Sequence, residues 1–206
     1  MPIKPDREYR FFSSFEPSGE NEPYTVRGYA STFDEYVLFE AEDGTQYKER
    51  IEPTAFDGAD LSDVVFLFNH EGRVFARLKN GTLQLGTDEK GLWVKADLSS
   101  TDGSRQMYED IRTGLVDQMS FAFTVDPDGD NYDRGTHTRV ISRMKKIYDV
   151  SAVTFPANPN TSISARSWVD GAIEQERAER LEAERKAEER KKALALLELE
   201  KARARE

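Results

Sequence analysis

Between Glu8 and Phe155 the chain is cut into short runs in which apolar and β-branched residues recur at every second position, each closed by Gly, Pro, Asn or Asp. A period of two places alternate side chains on opposite faces of an extended strand, so the body of the chain is restricted to a mainly β fold. EYRFFSSF (8–15) and YTVRGYASTF (24–33), separated by the turn-forming EPSGENEP, predict a hairpin or two adjacent strands. Residues 37–53 read as a polar insertion, and Pro53–Gly58 as one helical turn with proline near its first position. Strands are expected over 63–69, 73–79, 82–87 and 91–98, with Asn80-Gly81 as a two-residue hairpin signal. Residues 103–113 carry Met107 and Ile111 one turn apart and predict a helix, with Asp102 as its N-cap and Gly114 as its stop. After a strand around Ser120, 126–135 reads as a loop and 136–155 as one bent strand or two. The prolines of PANPNTS (156–162) end it. Short strands with tight turns imply a mostly antiparallel barrel or sandwich.

The last part of the chain is different material. From about Gly171 it is dominated by Ala, Glu, Arg, Lys and Leu, with Glu-to-cation spacings of four at Glu176–Arg180, Glu182–Lys186 and Glu188–Lys192. This predicts a long charged helix, which sets a body over 1–168 apart from a tail over 169–206. Its leucines keep no heptad, so it reads as an exposed, charge-stitched helix, with Leu194, Leu196, Leu197 and Leu199 as the candidate sticky patch. The charge divides the same way. Of 39 acidic and 29 basic residues, ten of each lie from Ala172 onward, which leaves 29 against 19 before it. The whole net charge of −10 therefore sits on the body. Such a surface disfavours a specific nucleic-acid partner. No apolar run approaches the length needed to span a bilayer, and the first residues lack the apolar centre of a secretion signal, so a soluble intracellular protein is expected.

Three polar residues stand where folding gains nothing from them: His70 in VVFLFNH (64–70), Ser120 in QMSFAFTV (118–125) and Asp149 in IYDVSAVTF (147–155). Strict alternation would place His70 on the face of Val64, Phe66 and Phe68, and Asp149 on the face of Ile147, Val153 and Phe155. A buried carboxylate without a partner costs several kcal/mol, roughly, and an imidazole N–H is an effective partner. Serine, histidine and carboxylate together make a nucleophile, its base and the group that orients the base. Singly, each has an ordinary structural explanation: a satisfied strand-end histidine, a serine bonded to backbone, an aspartate paired with Arg143, Lys145 or Lys146. The chain has no cysteine, which excludes disulfides, a thiolate nucleophile and a cysteine zinc site. Two histidines far apart, without an H-E-x-x-H helix, do not build a usual catalytic zinc site either, so no cofactor or metal is expected. Nor is Gln118-Met119-Ser120-Phe121-Ala122 the G-x-S-x-G elbow of an esterase.

The words NHEGRVFARL (69–78), GLWVKADL (91–98), RTGLVDQMSFAF (112–123) and DVSAVTFPANPNT (149–161), in this order, resemble the prohead, or head-maturation, serine proteases of tailed phages. The resemblance runs from about Arg27 to Ser164 and implies His70 as base, Ser120 as nucleophile and Asp149 as third member of a triad. It implies an antiparallel β-barrel of the herpesvirus-assemblin type with flanking helices, and it leaves His137, in assemblin fashion, as the rival third member. Glu71, a strand neighbour of His70, is expected to point away from it. The implied partners are a major capsid protein with its scaffolding domain, or a separate scaffold protein, and the chain itself as substrate. The implied place is the interior of the immature head in the host cytoplasm, with no membrane and with homo-oligomer formation left open. The competing reading is a non-catalytic assembly protein on the same scaffold. Two departures from the family pattern touch the site: Gln118 and Ala122 stand where relatives carry glycine near the serine, and Asp149 stands where many carry glutamate.

Overall fold

The structure, a computed structural model, describes residues 7–12, 16–19, 21–154 and 163–203. Its strands are β1 (Glu8–Phe12), β2 (Glu16–Pro17), β3 (Thr25–Thr32), β4 (Tyr36–Glu40), β5 (Gln46–Ile51), β6 (Val65–Phe68), β7 (Glu71–Arg77), β8 (Leu83–Thr87) and β9 (Gly91–Asp97), then helix α1 (Asp102–Arg112). There follow β10 (Gln118–Val125), β11 (Asp130–Asp133), β12 (Thr138–Ile141), β13 (Met144–Val153) and helix α2 (Ile163–Arg203). The fold is mixed α+β, mostly strands, and divides into two compact units, Met1–Arg166 and Ser167–Glu206. Hydrogen bonding makes three sheets, ordered β1-β10-β13-β6-β7, β11-β12-β5-β4 and β2-β3-β9-β8. Most neighbours are antiparallel, while β12/β5 and β13/β6 are parallel. Among the described residues none of the three ladders closes on itself.

One core lies between the sheets. Phe66, Met119, Phe121, Phe123, Ile147 and Val150 are fully buried in it, and Met107 and Ile111 bring one face of α1 against it. The N-cap of α1 is Thr101, one residue before the expected Asp102: its Oγ1 accepts the Ser104 N–H at 3.1 Å. Gly114, at φ +75°, ends the helix as expected. The 3-10 turn Pro53–Phe56 has its proline in the first turn, as the sequence indicates.

Several local expectations are corrected. Of the two arrangements expected for the first strands, the hairpin is not formed: β1 pairs with β10, while β3 pairs with β9 and with the two-residue β2, and β3 lies against β1 from another sheet. Asn80-Gly81 is not a hairpin loop. Residues Leu78–Asn80 make a 3-10 turn with Gly81 in the left-handed region, and the turn carries the chain from β7 in one sheet to β8 in another. The insertion 37–53 is largely a hairpin, β4–β5, and the loop 126–135 contains β11 paired to β12. Of the two arrangements expected after residue 136, the structure has two strands, β12 and β13. Helix α2 starts at Ile163, before the predicted Gly171, since nothing between them breaks a helix. Its ion pairs Glu182–Lys186 and Glu188–Lys192 (both 2.7 Å) are more than half exposed, so each contributes little, and Leu181 and Leu194 are exposed. PANPNTS, and the side chains of Leu196, Leu197 and Leu199, lie outside the described residues.

Strand β5 escapes the alternation rule because a glutamate takes an inward slot. Tyr47, Glu49 and Ile51 are all buried, and Glu49 is fully so. Arg10 holds it with two parallel bonds, Nε to Oε1 at 2.5 Å and Nη2 to Oε2 at 2.6 Å, while the Tyr36 hydroxyl also donates to it. Arg139 adds Nη1 to Glu49 Oε2 (3.1 Å) and to Glu8 Oε2 (2.6 Å), and Nε to Asp130 Oδ2 (2.6 Å). Two buried guanidiniums and three carboxylates thus bolt the five-stranded sheet to the β11-β12-β5-β4 sheet. Burial alone would raise the Glu8 carboxyl, but Arg10 and Arg139 outweigh it and hold Glu8 at about 2.

Two outcomes are expected. Glu49→Ala leaves both arginines short of a buried partner and should cost about 3–5 kcal/mol in urea unfolding; a loss under ~1 kcal/mol would mean the cluster does not hold the sheets together. Because the Glu8 value is depressed, its contribution is complete above the ordinary carboxyl value and is lost as pH falls toward 2. Stability should therefore drop by on the order of 3 kcal/mol over that window, and Glu8→Gln should flatten that part of the pH profile.

Candidate active site

Register decides which residues share the face of the five-stranded sheet opposite the core. Phe11 lies across from Ser120 and Tyr9 across from Ala122, while Ser120 lies across from Ser151 and Ala122 across from Asp149. Directly opposed residues in an antiparallel pair point the same way, so β1, β10 and β13 place Tyr9, Phe11, Ser120, Ala122, Asp149 and Ser151 together. The register slips between Ala122 and Phe123 and leaves Tyr148 as an extra residue. This bulge overturns the expectation that Asp149 shares a face with Ile147: Ile147 goes to the core with Val150 and Ala152, and Asp149 turns the other way.

His70 reaches the same face from outside the strand. β6 ends at Phe68, which pairs with Glu71, and Asn69 and His70 are the two turn residues between them, with φ of +52° and +62°. Positive φ at both central positions is the mark of a type I′ hairpin turn, a strained setting for histidine that asparagine tolerates better. His70 is therefore not on the face of Val64, Phe66 and Phe68, as alternation implies; the turn breaks the period. Asn69 is tied at both ends, its N–H to Ala152 O at 2.9 Å and its Oδ1 to the Thr154 N–H at 3.3 Å.

The three sequence candidates meet. His70 Nδ1 lies 2.6 Å from Asp149 Oδ1, and His70 Nε2 lies 2.6 Å from Ser120 Oγ. The carboxylate needs a donor, so Nδ1 carries the proton and Nε2 is left to accept the serine hydroxyl hydrogen. Ser120 is fully buried, Asp149 nearly so, and the Tyr9 ring stands edge-on to the imidazole with centroids 4.7 Å apart. Both ring nitrogens of His70 are thus engaged, and neither is left for His137. That residue sits in the turn before β12, with Nδ1 3.0 Å from the Tyr132 hydroxyl and its ring beside Tyr47. Glu71 is exposed. Ala122 is buried, and its methyl occupies the slot opposite Asp149. Sequence reasoning passed over Ser151, which donates its hydroxyl to Asp149 Oδ1 at 2.8 Å; two positions after an aspartate in a strand is the spacing that could have flagged it. Among the described residues no cluster of three or more His, Asp or Glu side chains could hold a metal ion.

The left-handed turn makes a prediction independent of chemistry. Asn69→Ile puts a β-branched residue at φ +52° and should lower unfolding stability by about 1–3 kcal/mol, whereas Asn69→Gly should lose less. Equal stability of the Ile variant and the parent would contradict the turn geometry.

The family described as caudovirus prohead serine protease matches residues 13–174. The prohead protease of Enterobacteria phage HK97 is 30% identical over 158 residues, covering 75% of this chain; the match spans 65% of that protein, just under two thirds of its length. A solved structure, the bacteriophage T4 capsid assembly protease, aligns with 73% of this chain and 99% of its own at 11% identity and a TM-score of 0.38, too distant a likeness to argue from. The family match takes in Ser120, His70 and Asp149 together with the strands that carry them, and the chain belongs to the caudovirus prohead serine protease family.

Proposed function

We propose that this chain is a capsid-maturation serine endopeptidase working through an acyl-enzyme, with Ser120, His70 and Asp149 as its triad. The observation that carries the reading is the imidazole bonded at 2.6 Å on one side to a buried carboxylate and on the other to a buried serine hydroxyl, in a member of a serine protease family. His70 Nε2 takes the Ser120 proton as Oγ attacks the peptide carbonyl, then returns a proton to the leaving amine. Asp149 keeps the imidazole in the productive tautomer and stabilises its charged form. Water repeats the sequence in reverse on the ester.

The proposed substrates are the scaffolding domain of a major capsid protein or a separate scaffold protein, and the chain itself, inside the immature head. Confinement there would replace affinity by local concentration. The charged helix α2 would act as a scaffold-contact or packaging element, with its exposed length open to self-cleavage. The assemblin-type barrel is carried as part of the same proposal; support for it is that β3, from another sheet, lies against both β1 and β10.

One observation favours a second reading, a non-catalytic assembly protein: Ser120 is fully buried, so a peptide reaches it only if the cover over it opens. Co-expression with the capsid and scaffold proteins, read by gel and intact mass, separates the two. The protease reading expects processed products with the parent chain and none with Ser120→Ala; identical products from both would end it. Asp149→Asn should depress cleavage by ~10⁴-fold, while His137→Ala should leave it near the parent level.

A further inference from the structure

We propose that Ser151 is a fourth, positioning residue of the site, whose hydroxyl fixes the Asp149 carboxylate against His70; this rests on the triad reading above. Alternation along β13 places Ser151 on the same face as Asp149, and the β10–β13 register sets it directly across from Ser120. It is fully buried, and its Oγ–H is directed to Asp149 Oδ1 at 2.8 Å. The same oxygen accepts the His70 Nδ1–H at 2.6 Å.

Two donors converging on one carboxylate oxygen do what one cannot. A single hydrogen bond fixes a distance but lets the carboxylate turn about its terminal torsion, which is broad for aspartate. A second donor, held by the strand itself, pins Oδ1 at the position from which it receives the imidazole N–H. A hydrogen bond to a charged group in a buried setting is among the stronger ones, and losing one partner leaves the other without compensation from water.

A hydroxyl that only satisfied its own burial would matter to stability alone. The positioning role predicts more: Ser151→Ala should slow the reaction of Ser120 with a fluorophosphonate probe, in which Oγ displaces fluoride from phosphorus, by roughly 10- to 100-fold. The loss should fall on the maximal rate and not on probe saturation. Ser151→Thr, which keeps the hydroxyl, should restore most of it, and Ser120→Ala gives the unreactive baseline.

The second arm needs no activity. In the full chain carrying Ser120→Ala, the downfield ¹H resonance of the His70 Nδ1–H, assigned with ¹⁵N-histidine and His137→Ala, should broaden or move upfield on adding Ser151→Ala and stay in place with Ser151→Thr. Thermal melts identify a variant that has not folded. A shift in melting temperature with the resonance and the labelling rate both unchanged would overturn the proposal. A parent chain inert to the probe, with a resonance that still depends on Ser151, would uphold the positioning assignment, and the co-expression result then decides the protease reading separately.

Discussion

The structure turns on a carboxylate that has been placed in the middle of a sheet. Asp149 is almost fully buried on β13, flanked by strands on both sides, where an unpartnered charge would cost several kcal/mol, roughly. Its needs are met by His70 and Ser151, and meeting them dictates much else. The bulge at Tyr148 is required to aim Asp149 away from the core while Ile147 stays in it. The left-handed pair Asn69-His70 is required to bring the imidazole back over the sheet. Both are the kind of local departure that a sheet retains only when the surroundings over-determine it.

A second set of buried charges supports the first from behind. On β1, Glu8 and Arg10 face one way, into the cluster with Glu49 and Arg139, and Tyr9 and Phe11 face the other, beside the imidazole. Ion pairs that bury this completely are poor sources of net stability compared with apolar residues of the same volume, but removing one partner is costly. Their effect is to specify position. Because Arg10 can satisfy Glu49 with two parallel bonds only when β1 is in this register, the cluster also sets which β1 residues stand over Ser120.

What the sequence disclosed and what it withheld follow from the same physics. The apolar runs that form β3, β6, β9, β10 and β13 are readable because enough of their inward slots are apolar for the period of two to show, even across the bulge in β13. Strand β5 was not, since Glu49 breaks the pattern at a buried slot and its compensation comes from Arg10 and Arg139, 39 and 90 residues away. The turn at Leu78–Asn80 looked like a hairpin because Asn-Gly carries the same local signal whether the chain returns in its own sheet or crosses to another. For the site, the residue types were legible and the geometry was not. His70 is legible from its neighbours in the motif, but strict alternation puts it on the wrong face because the turn at Asn69-His70 breaks the period. Ser151 looked like any strand serine until its hydroxyl could be followed to Asp149.

The burial of Ser120 follows from these constraints together. The Asp149–His70 interaction gains from exclusion of water, because it is stronger where the local dielectric is low. The proposed hydrolysis needs the opposite, a path for chain and water to Ser120. Of the strands around Ser120, β10 and β13 are central and bonded on both sides, so neither can move without breaking two ladders. Among the described residues β1 is an edge strand of its sheet, bonded along one side, and it carries Tyr9 and Phe11. The Arg10–Glu49 pair holds the strand's other face to β5.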